Sequence, residues 1–423
     1  MTLSDIKKGV DRRDTFYYDA LIMTYRIETS IVLLFLIFSG CFQKEVKPPV
    51  TYMEKPTEPL LINIVKTEDE KTKEKLTYMA FEIVEKLPLS VRIGQMIISY
   101  PPRFDSVKKY QIGGIILNQN FIKDTLSTNV MIEEYNKQSL IPLFFAIDQE
   151  GGKVNRLKHI EGYGKTPSAK ELGNSFRERE LLDYAYNTAI TMRKLGVNLN
   201  MAPSLDLSGS EEALMYIQER SLGSEPAVVK KKADILIDGY RAGGVLVFAK
   251  HYPGYSDVGI NSDVSVAYFN FPAIKMVKNF NLFVSLSHKI DGVIMSSIIY
   301  EDFDSVPALF SKEIIGLIRV SNKDILVMTD DLYAPSLRIL EKDNLSMITT
   351  KAFIAGNDLL LVMWDIKIPI LIEAIKKTLS VEPELKAQIN TSVVRILLSK
   401  ERVYPGLMEK LHNAWVKKAT SQK

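Results

Sequence analysis

The sequence predicts an α/β fold, a (β/α)8 barrel of the TIM type, on three observations. Short apolar and β-branched runs recur eight times beyond about Thr77, and stretches with helical spacing separate them. Acidic, basic and amide residues gather just after several of these runs, where a parallel barrel carries its active site. Continuously apolar strands suit a parallel sheet covered on both faces, and strand–helix alternation repeated eight times suits closure. An open doubly wound sheet is the competing arrangement of the same elements.

Residues 1–40 read as a signal region. Residues 31–38 form an unbroken run of eight apolar side chains, too short to span a bilayer but suited to the core of a signal peptide. Ser39-Gly40-Cys41 follows, with Phe38 at a position where such signals usually carry Leu. This looks like a bacterial lipobox, so cleavage before Cys41 and lipidation of its thiol are expected. A buried strand is the competing reading of the run. Met23, with Arg26 soon after, would begin a compact signal and make residues 1–22 an over-long start. Two or more acyl chains on Cys41 would give a stable membrane anchor, and the expected location is the bacterial cell envelope. Residues 41–76, rich in Lys, Glu, Pro and Thr, read as a polar tether, and the barrel with its closing helices as 77–423.

The eight expected strands are residues 95–99, 114–117, 143–147, 198–202, 245–249, 292–295, 325–329 and 358–363. Among the intervening helices, Val229, Ala233, Leu236 and Tyr240 step by four, three and four until Gly243-Gly244 stops them. Residues 368–379, 382–398 and 406–419 read as closing helices. The formal charge of +3 offers no basic field for nucleic acid. A single cysteine excludes an intramolecular disulfide and a multi-cysteine metal site. No metal or cofactor motif is present, Gly151-Gly152-Lys153 lacks the spacing of a phosphate loop, and a monomer is expected.

Polar residues end three strands: Asp148-Gln149-Glu150-Gly151-Gly152 with Arg156, then Lys250-His251-Tyr252-Pro253-Gly254, then Thr329-Asp330-Asp331. A single Asp there is more often a helix cap than a catalyst; three converging ends imply a polar ligand site. These segments, with Arg220-Ser221-Leu222-Gly223-Ser224 and Ala355-Gly356-Asn357-Asp358, resemble the ordered motifs of glycoside hydrolase family 3, and most closely its single-domain β-N-acetylhexosaminidase branch. Further agreement comes from Arg92-Ile93-Gly94-Gln95-Met96, Gly113-Gly114-Ile115-Ile116-Leu117 and Asn200-Met201-Ala202-Pro203.

The resemblance implies retaining hydrolysis of a terminal β-linked N-acetylhexosaminide without a cofactor. It places Asp330 on the nucleophile and Asp148, Arg156, Arg220, Lys250 and His251 on sugar-binding positions, with Asp331 as a structural carboxylate that could cap the next helix. It also marks a departure. The branch carries Lys-His-Phe-Pro-Gly-His-Gly-Asp-Thr-x-x-Asp-Ser-His, whose last His and the Asp two residues before it form the acid/base dyad. Here Asn261 and Asp263 stand at those places, Tyr255 replaces the earlier His, and Ser297 replaces another His after the sixth strand. Asp263 is the candidate acid/base, with Asp257 behind it. The alternative is a degenerate barrel that binds amino sugars without cleaving them.

Overall fold

A computed structural model describes residues 67–417. Cys41 and the expected signal region lie outside the described residues, as does most of the expected tether. The first helix, Glu68–Lys86, starts well before the expected boundary near Thr77. Its start is a reciprocal cap: Thr67 Oγ1 accepts from the Glu70 N–H at 3.2 Å, and the Glu70 carboxylate accepts from the Thr67 N–H at 2.8 Å. Such a cap contributes about 1 kcal/mol. The Lys and Glu residues that read as tether are therefore the solvent face of its first turns, before Ala80, Phe81, Ile83 and Val84 bury its far half.

Eight strands follow: β1 (Ile97–Ser99), β2 (Gly114–Ile116), β3 (Phe144–Ile147), β4 (Leu199–Asn200), β5 (Leu246–Tyr252), β6 (Gly292–Met295), β7 (Leu326–Met328) and β8 (Leu360–Val362). Each lies at an expected run. Gln95 is an exception at the first: it ends the helix Leu89–Gln95, and its amide donates to the Gln111 carbonyl at 2.8 Å. β5 runs past its expected end at Ala249 because the segment after β4 pairs with it. The Lys250 N–H donates to Pro203 O at 3.2 Å, and the Leu205 N–H donates to Lys250 O at 2.7 Å.

The strands are ordered β7-β6-β5-β4-β3-β2-β1-β8, and every pair between neighbours is parallel. The two ends meet. The Thr329 N–H donates to Leu359 O at 3.0 Å, and the Leu359 N–H to Val327 O at 3.1 Å. The result is a near-closed, TIM-like barrel rather than an open sheet. All strand residues are buried, as side chains filling a barrel on one face and packing under helices on the other must be.

The helix Pro226–Ala242 buries Val229, Ala233, Leu236 and Tyr240 and is capped by Gly243. Ile368–Val381, Lys386–Val403 and Leu407–His412 close the chain, and the last passes at Asn413 into a π-helical turn instead of continuing as one helix. Among the described residues no helix is long and apolar enough to cross a membrane.

Candidate active site

The site begins where β3 ends. Asp148 and Glu150, two residues apart, both reach the Lys250 ammonium, at 2.5 and 2.7 Å. The chain must then turn sharply. Gly151 and Gly152 have φ of +96° and +54°, and a Cβ on Gly151 would stand 2.1 Å from Pro167 O, so a larger residue fits neither the backbone nor the space. The turn returns Arg156 to the site. Its N–H donates to Gln149 Oε1 at 2.8 Å, and its guanidinium reaches Gln119 Oε1 at 3.2 Å and lies 3.7 Å from Asp148 Oδ2.

Arg220 arrives on the long segment between β4 and β5. It grips Glu150 with two nitrogens, each at 2.9 Å, and a third contact of 3.3 Å links it to His251 Nε2. Two parallel hydrogen bonds fix a guanidinium in direction as well as distance. On the other side of the ring, His251 Nδ1 lies 2.7 Å from Asp206 Oδ2, and Asp206 is fully buried. Burial alone would raise these carboxyls. Lys250 and Arg156 outweigh it at Asp148, Arg220 and Lys250 outweigh it at Glu150, and the His251 charge and hydrogen bond outweigh it at Asp206, so all three are held below the usual carboxylate range.

Asp330, just past β7, behaves in the opposite way. It is half-buried, with one carboxylate oxygen accepting from the Asp331 N–H at 2.8 Å. Burial, followed by the negative charge of Asp263, pushes it up to about 7, although His251 and Lys250 pull the other way. A carboxylate at a strand tip, raised in this way and with no ion pair of its own, is a candidate for chemistry. Asp331 does not cap the following helix: Pro335–Leu340 has Ala334 at its cap and no side-chain cap bond. Asp331 Oδ1 instead accepts from the N–H groups of Tyr333 and Met363, both at 3.1 Å, and so ties the β7 end to the β8 end.

The loop after β5 carries Asp263. Its side chain is exposed, yet its charge acts on Asp330, Asp331 and Tyr255 alike. Asn261, where the branch has Asp, accepts the Asp263 N–H at 3.0 Å through its side-chain oxygen. Asp257 is bound elsewhere, accepting from the N–H groups of Gly209 and Ser210 at 2.8 and 3.0 Å and from Lys275 at 2.6 Å. It braces the loop and is removed as an acid/base candidate. Ser297 is buried, and its hydroxyl has no hydrogen-bond partner.

The expected residues Asp148, Arg156, Arg220, Lys250, His251, Asp263 and Asp330 thus converge on one mouth. Sequence reasoning missed two carboxylates that organise them. Glu150 could have been found from its two-residue spacing from Asp148, and Asp206 as a lone acid between Leu205 and Leu207, since a charge in an apolar run must be paired. Among the described residues no cluster of His, Cys, Asp and Glu is arranged to hold a metal.

This constellation has counterparts. The glycosyl hydrolase family 3 N terminal domain is matched over residues 89–398. The β-hexosaminidase LpqI of Mycobacterium tuberculosis is 27% identical over 311 residues, 70% of this chain and 77% of that protein. A β-hexosaminidase of Idiomarina loihiensis is 26% identical over 262 residues, 60% of this chain and 77% of its own length. The solved M. tuberculosis LpqI superposes with a TM-score of 0.69 at 25% identity, covering 76% of this chain and 96% of that one. The β-N-acetylhexosaminidase of Beutenbergia cavernae does so with 0.67 at 25% identity, covering 74% and 98%. The chain belongs to glycosyl hydrolase family 3 and is a β-hexosaminidase-like member of it.

Proposed function

We propose that the chain is a retaining glycosidase that releases terminal β-linked N-acetylglucosamine, or a related N-acetylhexosamine, from glycans such as cell-wall fragments. One observation carries this reading: a half-buried Asp330 stands at the barrel mouth beside the charge of Asp263 and within the field of Lys250 and His251. Arg156, Arg220 and Lys250 offer hydrogen-bond donors, and Asp148 acceptors, for the hydroxyls and the acetamido group of one sugar.

In the first step the ionised Asp330 attacks the anomeric carbon, and the departing oxygen takes a proton from Asp263. In the second, Asp263 removes a proton from water, which attacks the same carbon and frees Asp330 with net retention. Burial weakens the solvation of the Asp330 carboxylate, and His251 and Lys250 partly restore the stability of its ionised form.

Incubation with 4-nitrophenyl N-acetyl-β-D-glucosaminide, followed by proton NMR, tests the reading. The β-anomer should form first, and Asp330→Ala should abolish it. Binding of N-acetylglucosamine with no turnover of any glycoside would favour a second reading, an amino-sugar binder, which the replacement of the acid/base dyad by Asn261 and Asp263 supports. In either case we assign the chain to the bacterial envelope through a lipid on Cys41.

A further inference from the structure

The loop that carries Asp263 is fastened by a residue the family pattern does not supply. Tyr255, standing where the branch has His, is 2% exposed and packs edge-on against His251 with ring centroids 5.1 Å apart. Its N–H donates to Asp206 Oδ1 at 2.8 Å. At the other end its hydroxyl is hydrogen-bonded to Ser262 Oγ and accepts from the Ser262 N–H at 3.3 Å. Ser262, 1% exposed, is the neighbour of Asp263.

The base of the loop is equally fixed. Gly254 has φ of +125°, and a Cβ there would stand 2.5 Å from Asn279, while the Gly254 carbonyl accepts from the Tyr300 hydroxyl at 2.8 Å. Asn261 closes the tip, with its carbonyl accepting from the N–H groups of Val264 and Ser265, both at 3.0 Å. Burial, and after it the charges of Asp263 and Asp330, push the Tyr255 hydroxyl up, so it stays protonated in the field of the two carboxylates.

We propose that Tyr255, through Ser262, is a positioning residue that holds Asp263 beside Asp330 as acid/base, in place of the alignment the lost Asp–His dyad would give. This rests on the glycosidase reading above. An exposed carboxylate on a free loop would sample many positions, and a displacement of an ångström from the leaving oxygen costs on the order of 100-fold in rate. The clasp removes that freedom at the residue next to Asp263, and the turn at Asn261 removes it on the other side. No proton passes through Tyr255.

Tyr255→Phe keeps the ring against His251 and removes only the hydroxyl. It should lower kcat on a substrate with a poor leaving group, such as the methyl glycoside or N,N′-diacetylchitobiose, by about 10- to 100-fold. The first step on the dinitrophenyl glycoside, read as its kcat/KM, needs little protonation and should fall less than about threefold. Hydrogen exchange at Ser262 to Ser265 should quicken by about 10-fold or more. Ser262→Ala, which leaves the backbone bond to Tyr255, should show the same pattern at smaller amplitude, and serves alone if Tyr255→Phe does not fold. Equal loss on both substrates, no loss on either, or unchanged exchange would overturn the proposal. An unmodified protein inactive on both substrates would overturn the glycosidase reading itself.

Discussion

Replacing Asp330 by Asn should abolish turnover and at the same time stabilise the fold, by an amount that depends on pH. The ordinary carboxylate value is 3.8, and burial and Asp263 push Asp330 up to about 7. The folded chain therefore holds a proton that the unfolded chain releases between those values, and stability falls as pH rises through that window. Below it both states are protonated and there is no penalty; above it the penalty is complete. At about 1.4 kcal/mol per pKa unit, the ceiling is about 4 kcal/mol. Asp330 is only partly buried as a residue, and Lys250 and His251 act on it, so an effective cost of about 1–2 kcal/mol is the working figure.

Asn retains an oxygen to accept the Asp331 N–H and carries no charge. Melting curves of Asp330→Asn and the unmodified chain should coincide near pH 3 and separate by roughly 1–3 °C above pH 7.5, with the variant higher. A separation independent of pH, or a variant that melts lower at pH 8, would refute the idea that Asp330 carries an uncompensated charge.

Other expectations follow from the same geometry. Asp263→Ala should slow hydrolysis of poor leaving groups by about 100- to 10,000-fold, spare a dinitrophenyl glycoside in its first step, and respond to azide, which needs no base; equal losses on both would move the role to another group. Arg220→Ala should abolish N-acetylglucosamine binding in calorimetry and cost about 3 kcal/mol in a urea melt, because Glu150 keeps Lys250 but loses its two-pronged partner; unchanged affinity would take Arg220 out of the site. Cys41→Ala should shift the protein from the detergent to the aqueous phase on phase partitioning, and unchanged partitioning would remove the lipid anchor.

The strands were legible because parallel strands are apolar on both faces, so even β2 and β7, three residues each, stand out as runs. Their ends were less so: Gln95 looks like the first polar residue of a strand but serves a helix end through its amide. The start at Glu68 was hidden because a solvated helix face and a charged tether have the same composition, and only the Thr67–Glu70 pair distinguishes them. In the site, Lys250, His251 and Asp330 were readable from strand ends and family pattern. Asp206 and Glu150 left only a fainter trace, in their apolar neighbours and their spacing, since their role depends on which cation meets them across the barrel. Tyr255 stood out only as a departure from the branch's His, because its partner Ser262 is set by how the loop folds back.

In the proposed mechanism Asp330 forms a covalent bond to the sugar. A fluorinated N-acetylglucosaminyl trap with an activated leaving group, applied to the purified chain and followed by peptide mass spectrometry, tests it directly. One added glycosyl group is expected on the peptide containing Asp330, absent from Asp330→Asn and prevented by excess N-acetylglucosamine. A label on Asp263 or any other residue, or hydrolysis of the unmodified substrate with no label at all, would contradict it.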